Sequence, residues 1–127
     1  MISAIDSDCE LDVERGPDWL LIRVRNLDST APGCPPLAER IWRLMQQHFA
    51  HRLVLELDQV ALINSRIIGQ LIRLYRLIAE HEGVMRLCGL SPRNRAVLHQ
   101  CRLDERLPAF EDRQEAVLGA MFPRKPR

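Results

Sequence analysis

The stretch LVLELDQVALINSRIIG, residues 53–69, decides how this chain folds. It opens with Leu53-Val54-Leu55-Glu56-Leu57, a short aliphatic run of the kind that fits a strand covered on both faces. A turn follows, then apolar Val60 to Ile63, and Asn64-Ser65 stands at the mouth of a long helical pattern. A hydroxyl at a helix N-terminus can cap the free backbone N–H groups there. It can also carry a phosphate, whose charge the helix dipole stabilises. Spacing alone favours the cap.

The elements on either side follow from periodicity and turn chemistry. Leu11 and Val13 alternate with Glu10, Asp12 and Glu14, which predicts a strand over 9–15. Gly16-Pro17-Asp18 is a turn signal, and Trp19 to Val24 reads as a second strand completing a hairpin. Asn26 to Pro36, rich in proline and small polar residues, is a loop. Leu37, Ile41, Leu44, Met45 and His48 then recur at helical spacing, with Pro35 or Pro36 suited to the first turn.

After the strand at 52–57, a helix over 65–81 carries Ile67, Ile68, Leu71, Ile72, Leu74, Tyr75 and Ile78, a stripe wide enough to press against a sheet. Gly83 is expected to end it in the left-handed conformation. Val84 to Cys88 is a fourth strand. Ser91 caps a third helix with Pro92 at its first position and Ala96, Val97 and Cys101 as its apolar face. Leu107 to Phe110 is a short fifth strand, and Asp112 caps a last helix bearing Ala116, Val117, Ala120 and Met121. The order ββαβαβαβα predicts a single α/β domain whose mixed sheet has about five strands, with about four helices. The domain is expected over 11–121, between an N-terminal extension (1–10) and a basic C-terminal tail (122–127).

Composition narrows the function. At 127 residues the chain is one domain by length, able to bury about two thirds of its unfolded surface. A net charge of +1 argues against an electrostatic nucleic-acid binder. No apolar run approaches membrane-spanning length, and the acidic N-terminus has no signal-peptide pattern, so a cytoplasmic location without membrane insertion is expected. Cys9, Cys34, Cys88 and Cys101 form no CxxC pair and have no metal-ligand spacing, so neither a metal nor a cofactor is expected. Cys88 and Cys101 read as buried small hydrophobes.

Catalysis has little support. His48 and His51 lie near a helix end, His99 and Cys101 are too close along one helix to face each other, and no phosphate-cradling Gly-rich loop is present. Arg66, Gln70, Arg73 and Arg76 share one line of the second helix and read as a solvated face. Arg66 is the exception, because a cation in a helix first turn opposes the dipole. It suits an acidic group on a partner, or a phosphate on Ser65.

Four segments in the right order resemble the STAS domain, the family of sulphate transporters and anti-sigma factor antagonists. Asn64-Ser65-Arg66-Ile67-Ile68-Gly69 matches a signature of strand, loop, Asp-Ser, a small hydroxyl residue and Gly-Leu-Gly. Val84 to Pro92 is similar to the family's strand followed by Ser-Pro and a helix, Arg102 to Phe110 to its closing segment, and Leu27-Asp28 to its Leu-Asp pair. The resemblance implies a bacterial anti-anti-sigma factor that regulates transcription by binding a protein rather than by catalysis. Its partner would be an anti-sigma factor that is a histidine-kinase-like serine kinase, and Ser65 would be the residue phosphorylated. It further implies a binding surface of Asp28, Asp58, Asn64, Ser65, Arg66, Ile68, Gly69 and Arg73. Asn64 stands where the family has Asp, Arg66 where it has a small hydroxyl residue and Ile67 where it has Gly, so the charge and bulk beside the acceptor differ. Two other classes stay open: an accessory subunit of an ABC-type membrane transport complex, and a small enzyme or nucleotide binder.

Overall fold

The computed structural model describes residues 10–25 and 36–118. The elements are β1 (Glu10–Arg15), β2 (Leu20–Arg25), α1 (Leu37–Gln47), β3 (Arg52–Glu56), α2 (Ser65–Glu80), β4 (Val84–Cys88), α3 (Pro92–Gln100), β5 (Ala109–Phe110) and α4 (Arg113–Leu118). The sheet runs β1-β2-β3-β4-β5, with the β1–β2 hairpin antiparallel and every later pair parallel. This is the expected mixed α/β sheet, in the expected order.

Strand order equal to chain order has a consequence. Each crossover steps one strand in the same direction, so right-handed connections place α1, α2 and α3 on one face. Side chains of alternating strand positions divide accordingly. Leu20, Ile22, Val24, Leu53, Leu55, Met85 and Leu87 join the main core with Ile41 and Met45 of α1, Ile67, Leu71, Leu74 and Ile78 of α2, and Leu98 of α3. The opposite face gathers Trp19, Leu21, Val54, Cys88 and Phe110 under Ala116 of α4. Thus β3 is covered on both sides, which is why its alternation is lost and Leu53 to Leu57 are all buried.

Three helices end alike. At α2, the Glu82 N–H donates to the Ala79 carbonyl at 3.0 Å and the Gly83 N–H to the Ile78 carbonyl at 2.8 Å, a Schellman closure. The left-handed residue is Glu82, φ 61°, and not Gly83 as the sequence suggests. Gly83 is required by space instead: a Cβ there would lie 2.5 Å from the His51 carbonyl oxygen and 2.8 Å from Ile78 Cγ2. Phe49 after α1 (φ 52°) and Arg102 after α3 (φ 57°) occupy the same left-handed position.

The α3 face is also displaced from expectation. Asn94 and Leu98 point inward, Ala96 is exposed and Val97 half-buried, which carries Cys101 to the surface. Cys88 is buried as expected, and desolvation, helped by the charges of Glu56 and Asp58, pushes its thiol pKa up to about 12. At neutral pH Cys88 is therefore an inert thiol. Iodoacetamide is expected to alkylate Cys101 in the native protein and Cys88 only after denaturation, read by peptide mass spectrometry. Native labelling of Cys88 would contradict this packing.

Candidate functional site

The connection from β3 to α2 is held at both ends and along its length. Leu57 N–H donates to the Cys88 carbonyl at 2.9 Å, and Val60 N–H closes a turn onto the Leu57 carbonyl at 3.1 Å. Beside this turn Gly89 sits at φ +76°, and a Cβ there would come within 3.0 Å of Asp58 Cβ and 3.2 Å of its backbone nitrogen. Val60 and Ile63 anchor the segment in the core while Leu62 between them remains 46% exposed.

Asn94 completes the loop. Its carboxamide is fully buried, accepts from Ile63 N–H at 2.9 Å and donates to the Val60 carbonyl at 3.0 Å. Two backbone groups that the turn would otherwise bury unpaired are thereby satisfied by one side chain of α3. Asn94 is itself placed by the N-cap of α3, its N–H donating to Ser91 Oγ at 3.1 Å.

Next comes the helix mouth. The N-cap of α2 is Asn64, extended at φ −106°, with Oδ1 accepting from Ile67 N–H at 3.1 Å. Ser65, which the sequence offers as a cap, is instead the first helical residue and is exposed. Arg66 and Gly69 are exposed beside it and Ile68 is half-buried. Ile67, the bulky departure in the signature, turns inward into the core and adds nothing to the surface. A Cβ on Gly69 would meet no atom of the described residues within 4 Å. Asp58, Leu62, Ser65, Arg66 and Gly69 thus belong to one exposed rim running from loop to helix.

Charges brace the rim from below. Glu56, only 3% exposed, ends β3 two residues before Asp58. Arg113 of α4 donates to it from Nη2 at 2.6 Å and from Nε at 3.3 Å, and reaches Glu14 on β1 with Nη1 at 2.8 Å. Hydrogen bonds to Glu56 and then Glu14 hold the Arg113 guanidinium well above its ordinary pKa. Arg23 Nη2 donates to Glu56 Oε1, the oxygen it shares with Arg113 Nε, at 2.9 Å, while its Nε lies 3.2 Å from Asp58 Oδ1 without hydrogen-bond alignment. This network ties the start of the loop to β1, β2 and α4. A lone glutamate in an aliphatic run gives no sequence sign of it, because its partners lie 33 and 57 residues away.

The remaining predicted residues are less central. Asp28 lies outside the described residues. Arg73, eight residues past Ser65, pairs with Glu39 of α1 at 2.9 Å, and Gln70 accepts from the Ala38 N–H at 2.9 Å, capping an α1 that has no side-chain cap of its own. The polar line on α2 therefore engages α1 instead of being merely solvated. Exposed Leu62 and buried Asn94 escape sequence reasoning. The first is hidden within an apolar run, and the second differs from a surface asparagine only by its tertiary partners.

Among the described residues no group of His, Cys, Asp or Glu side chains is placed to hold a metal ion. His99 Nδ1 meets Asp104 Oδ2 at 2.8 Å on the surface, a contact that lowers the Asp104 pKa. No helix among the described residues is long and apolar enough to cross a membrane.

With this geometry in hand, the family is clear: the STAS domain model matches residues 21–116, and the chain belongs to that family. No curated protein matches it in sequence. Solved structures similar to it include an anti-sigma factor antagonist from Mycobacterium paratuberculosis, 21% identical with a TM-score of 0.75, covering 95% of this chain and 100% of that one. A STAS domain protein from Planctomyces limnophilus is 24% identical, TM-score 0.68, covering 88% and 98%. The Bacillus cell fate determinant SpoIIAA in its phosphorylated form is 18% identical, TM-score 0.64, covering 87% and 99%. These likenesses define an anti-sigma factor antagonist-like fold.

Proposed function

We propose that this domain is an anti-sigma factor antagonist. It docks through the 57–64 loop and the first turns of α2 onto a histidine-kinase-like anti-sigma factor in the cytoplasm, and phosphorylation of Ser65 switches it. The domain works by binding and catalyses nothing itself. One observation carries the reading: Asn64 takes the capping role, which leaves the exposed Ser65 hydroxyl at the helix mouth available as an acceptor. A phosphate there adds close to two negative charges at neutral pH, at the end of a helix whose dipole favours them. Arg66 is placed beside it for a charge-assisted contact. Incubation with the host's anti-sigma kinase and ATP, followed by mass-spectrometric mapping, tests the switch. Phosphate on Ser65 supports it, and none on Ser65 retires it.

Gly69 supports the docking half of the proposal. Glycine inside a helix costs about 0.5–1 kcal/mol relative to alanine, and none of the described residues crowds this position. Open space on the rim lets a partner's backbone approach closely. Gly69→Ala is expected to raise the thermal midpoint while weakening partner binding in a titration. Unchanged affinity would remove Gly69 from the interface.

A further inference from the structure

A second site lies at the opposite pole from Ser65, at the N-terminal ends of the parallel strands. There the β1–β2 turn meets the α1–β3 turn and encloses a cleft of about 390 Å³. Its lining includes Arg15, Asp18, Trp19, Phe49, His51 and Arg52.

Three features mark the cleft. Phe49 is 83% exposed and sits at φ 52°. The left-handed conformation strains Phe49 through its Cβ, as it does Glu82 and Arg102, and the phenyl ring gains little from burial. Arg52 lies over the Trp19 ring at 5.8 Å, while Arg86, outside the cleft lining, lies over the same ring at 5.3 Å and donates to the Ala116 carbonyl at 3.1 Å. Two guanidinium groups are thus gathered on one indole, and burial together with the Arg52 charge lowers the pKa of Arg86. Among the described residues no carboxylate pairs with Arg15, Arg52 or Arg86. Among the described residues Asp18 is the single acidic lining residue, against Arg15 and Arg52.

We propose that this cleft binds a small organic anion, a phosphate or carboxylate borne on a flat ring. The anionic group sits between Arg15 and Arg52, and the ring stacks on Phe49. The arginines supply planar donors suited to either anion. The exposed phenyl supplies a stacking face of the kind aromatic pairs use. The volume lies within the range of small-molecule sites, about 300–1,000 Å³.

Nuclear magnetic resonance titration of the full chain with phenyl phosphate, benzoate and inorganic phosphate tests this. Saturable shifts are expected at the Trp19 indole N–H and the His51 and Arg52 amides with both ring-bearing probes. Inorganic phosphate should bind about tenfold more weakly, the loss of one stacking contact of about 1.4 kcal/mol. Tighter binding of phenyl phosphate than of benzoate assigns a phosphate ligand, and the reverse order a carboxylate. Arg15→Ala and Arg52→Ala should each weaken all three probes. Phe49→Gly should raise the melting temperature and abolish the preference for ring-bearing probes. The absence of saturable shifts, shifts indifferent to both arginine variants, or an unchanged ring preference in Phe49→Gly would overturn the proposal.

Discussion

Replacing Asn94 with leucine is expected to destabilise the domain by about 2–6 kcal/mol, since it strips partners from two buried backbone groups at about 1–3 kcal/mol each. Leucine keeps asparagine's heavy-atom count and branching and is no smaller, so the loss would come from the orphaned Ile63 N–H and Val60 carbonyl and not from a cavity. The same change should loosen the loop that presents Leu62 and the α2 mouth, so hydrogen exchange at Ile63 should rise more than at Leu87 in the sheet. Urea denaturation measures the first effect. A loss below about half a kcal/mol, the range of ordinary surface substitutions, would mean that Asn94 does not hold the loop.

A comparably large effect is expected on binding. Phosphate on Ser65 should weaken docking onto the anti-sigma factor by about two orders of magnitude, because setting like charges against each other at an interface costs several kcal/mol. The motivating geometry is the exposed serine beside Arg66, which the proposal sets against acidic groups of the partner. Once phosphorylated, Arg66 is drawn to the phosphate and the rim changes sign. Ser65→Asp should imitate this in part and Ser65→Ala should bind persistently. Stability separates the roles of the two neighbours. Asn64→Ala removes the cap and should cost about 1 kcal/mol, whereas Ser65→Ala should cost almost nothing. Equal costs from the two changes, read by thermal denaturation, would return Ser65 to a structural role.

Much of the fold was legible because local chemistry and tertiary packing agree. The stripe on α2, the Ser91-Pro92 helix start and the Gly16-Pro17-Asp18 turn each state their element without reference to the rest of the chain. Misreadings arose where a partner distant in sequence decides. Gly83 looks like a left-handed stop, yet Glu82 takes that conformation and the glycine makes room for the His51 carbonyl. Cys101 looks like a core residue, yet the buried face of α3 runs through Asn94 and Leu98. The place of Ser65, Arg66 and Gly69 at the head of α2 was legible from the signature. Leu62, Asn94 and the Glu56–Arg113 pair were not, because their roles depend on which side chains the sheet brings alongside.

The central claim is that Ser65 controls a docking surface at the head of α2. Calorimetric titration of the host's anti-sigma factor with unphosphorylated protein, and then with the same protein phosphorylated on Ser65, tests it most directly. The account predicts saturable binding by the first and a loss of about a hundredfold or more in the second, with both forms equally folded by circular dichroism. Equal affinity of the two forms would contradict it.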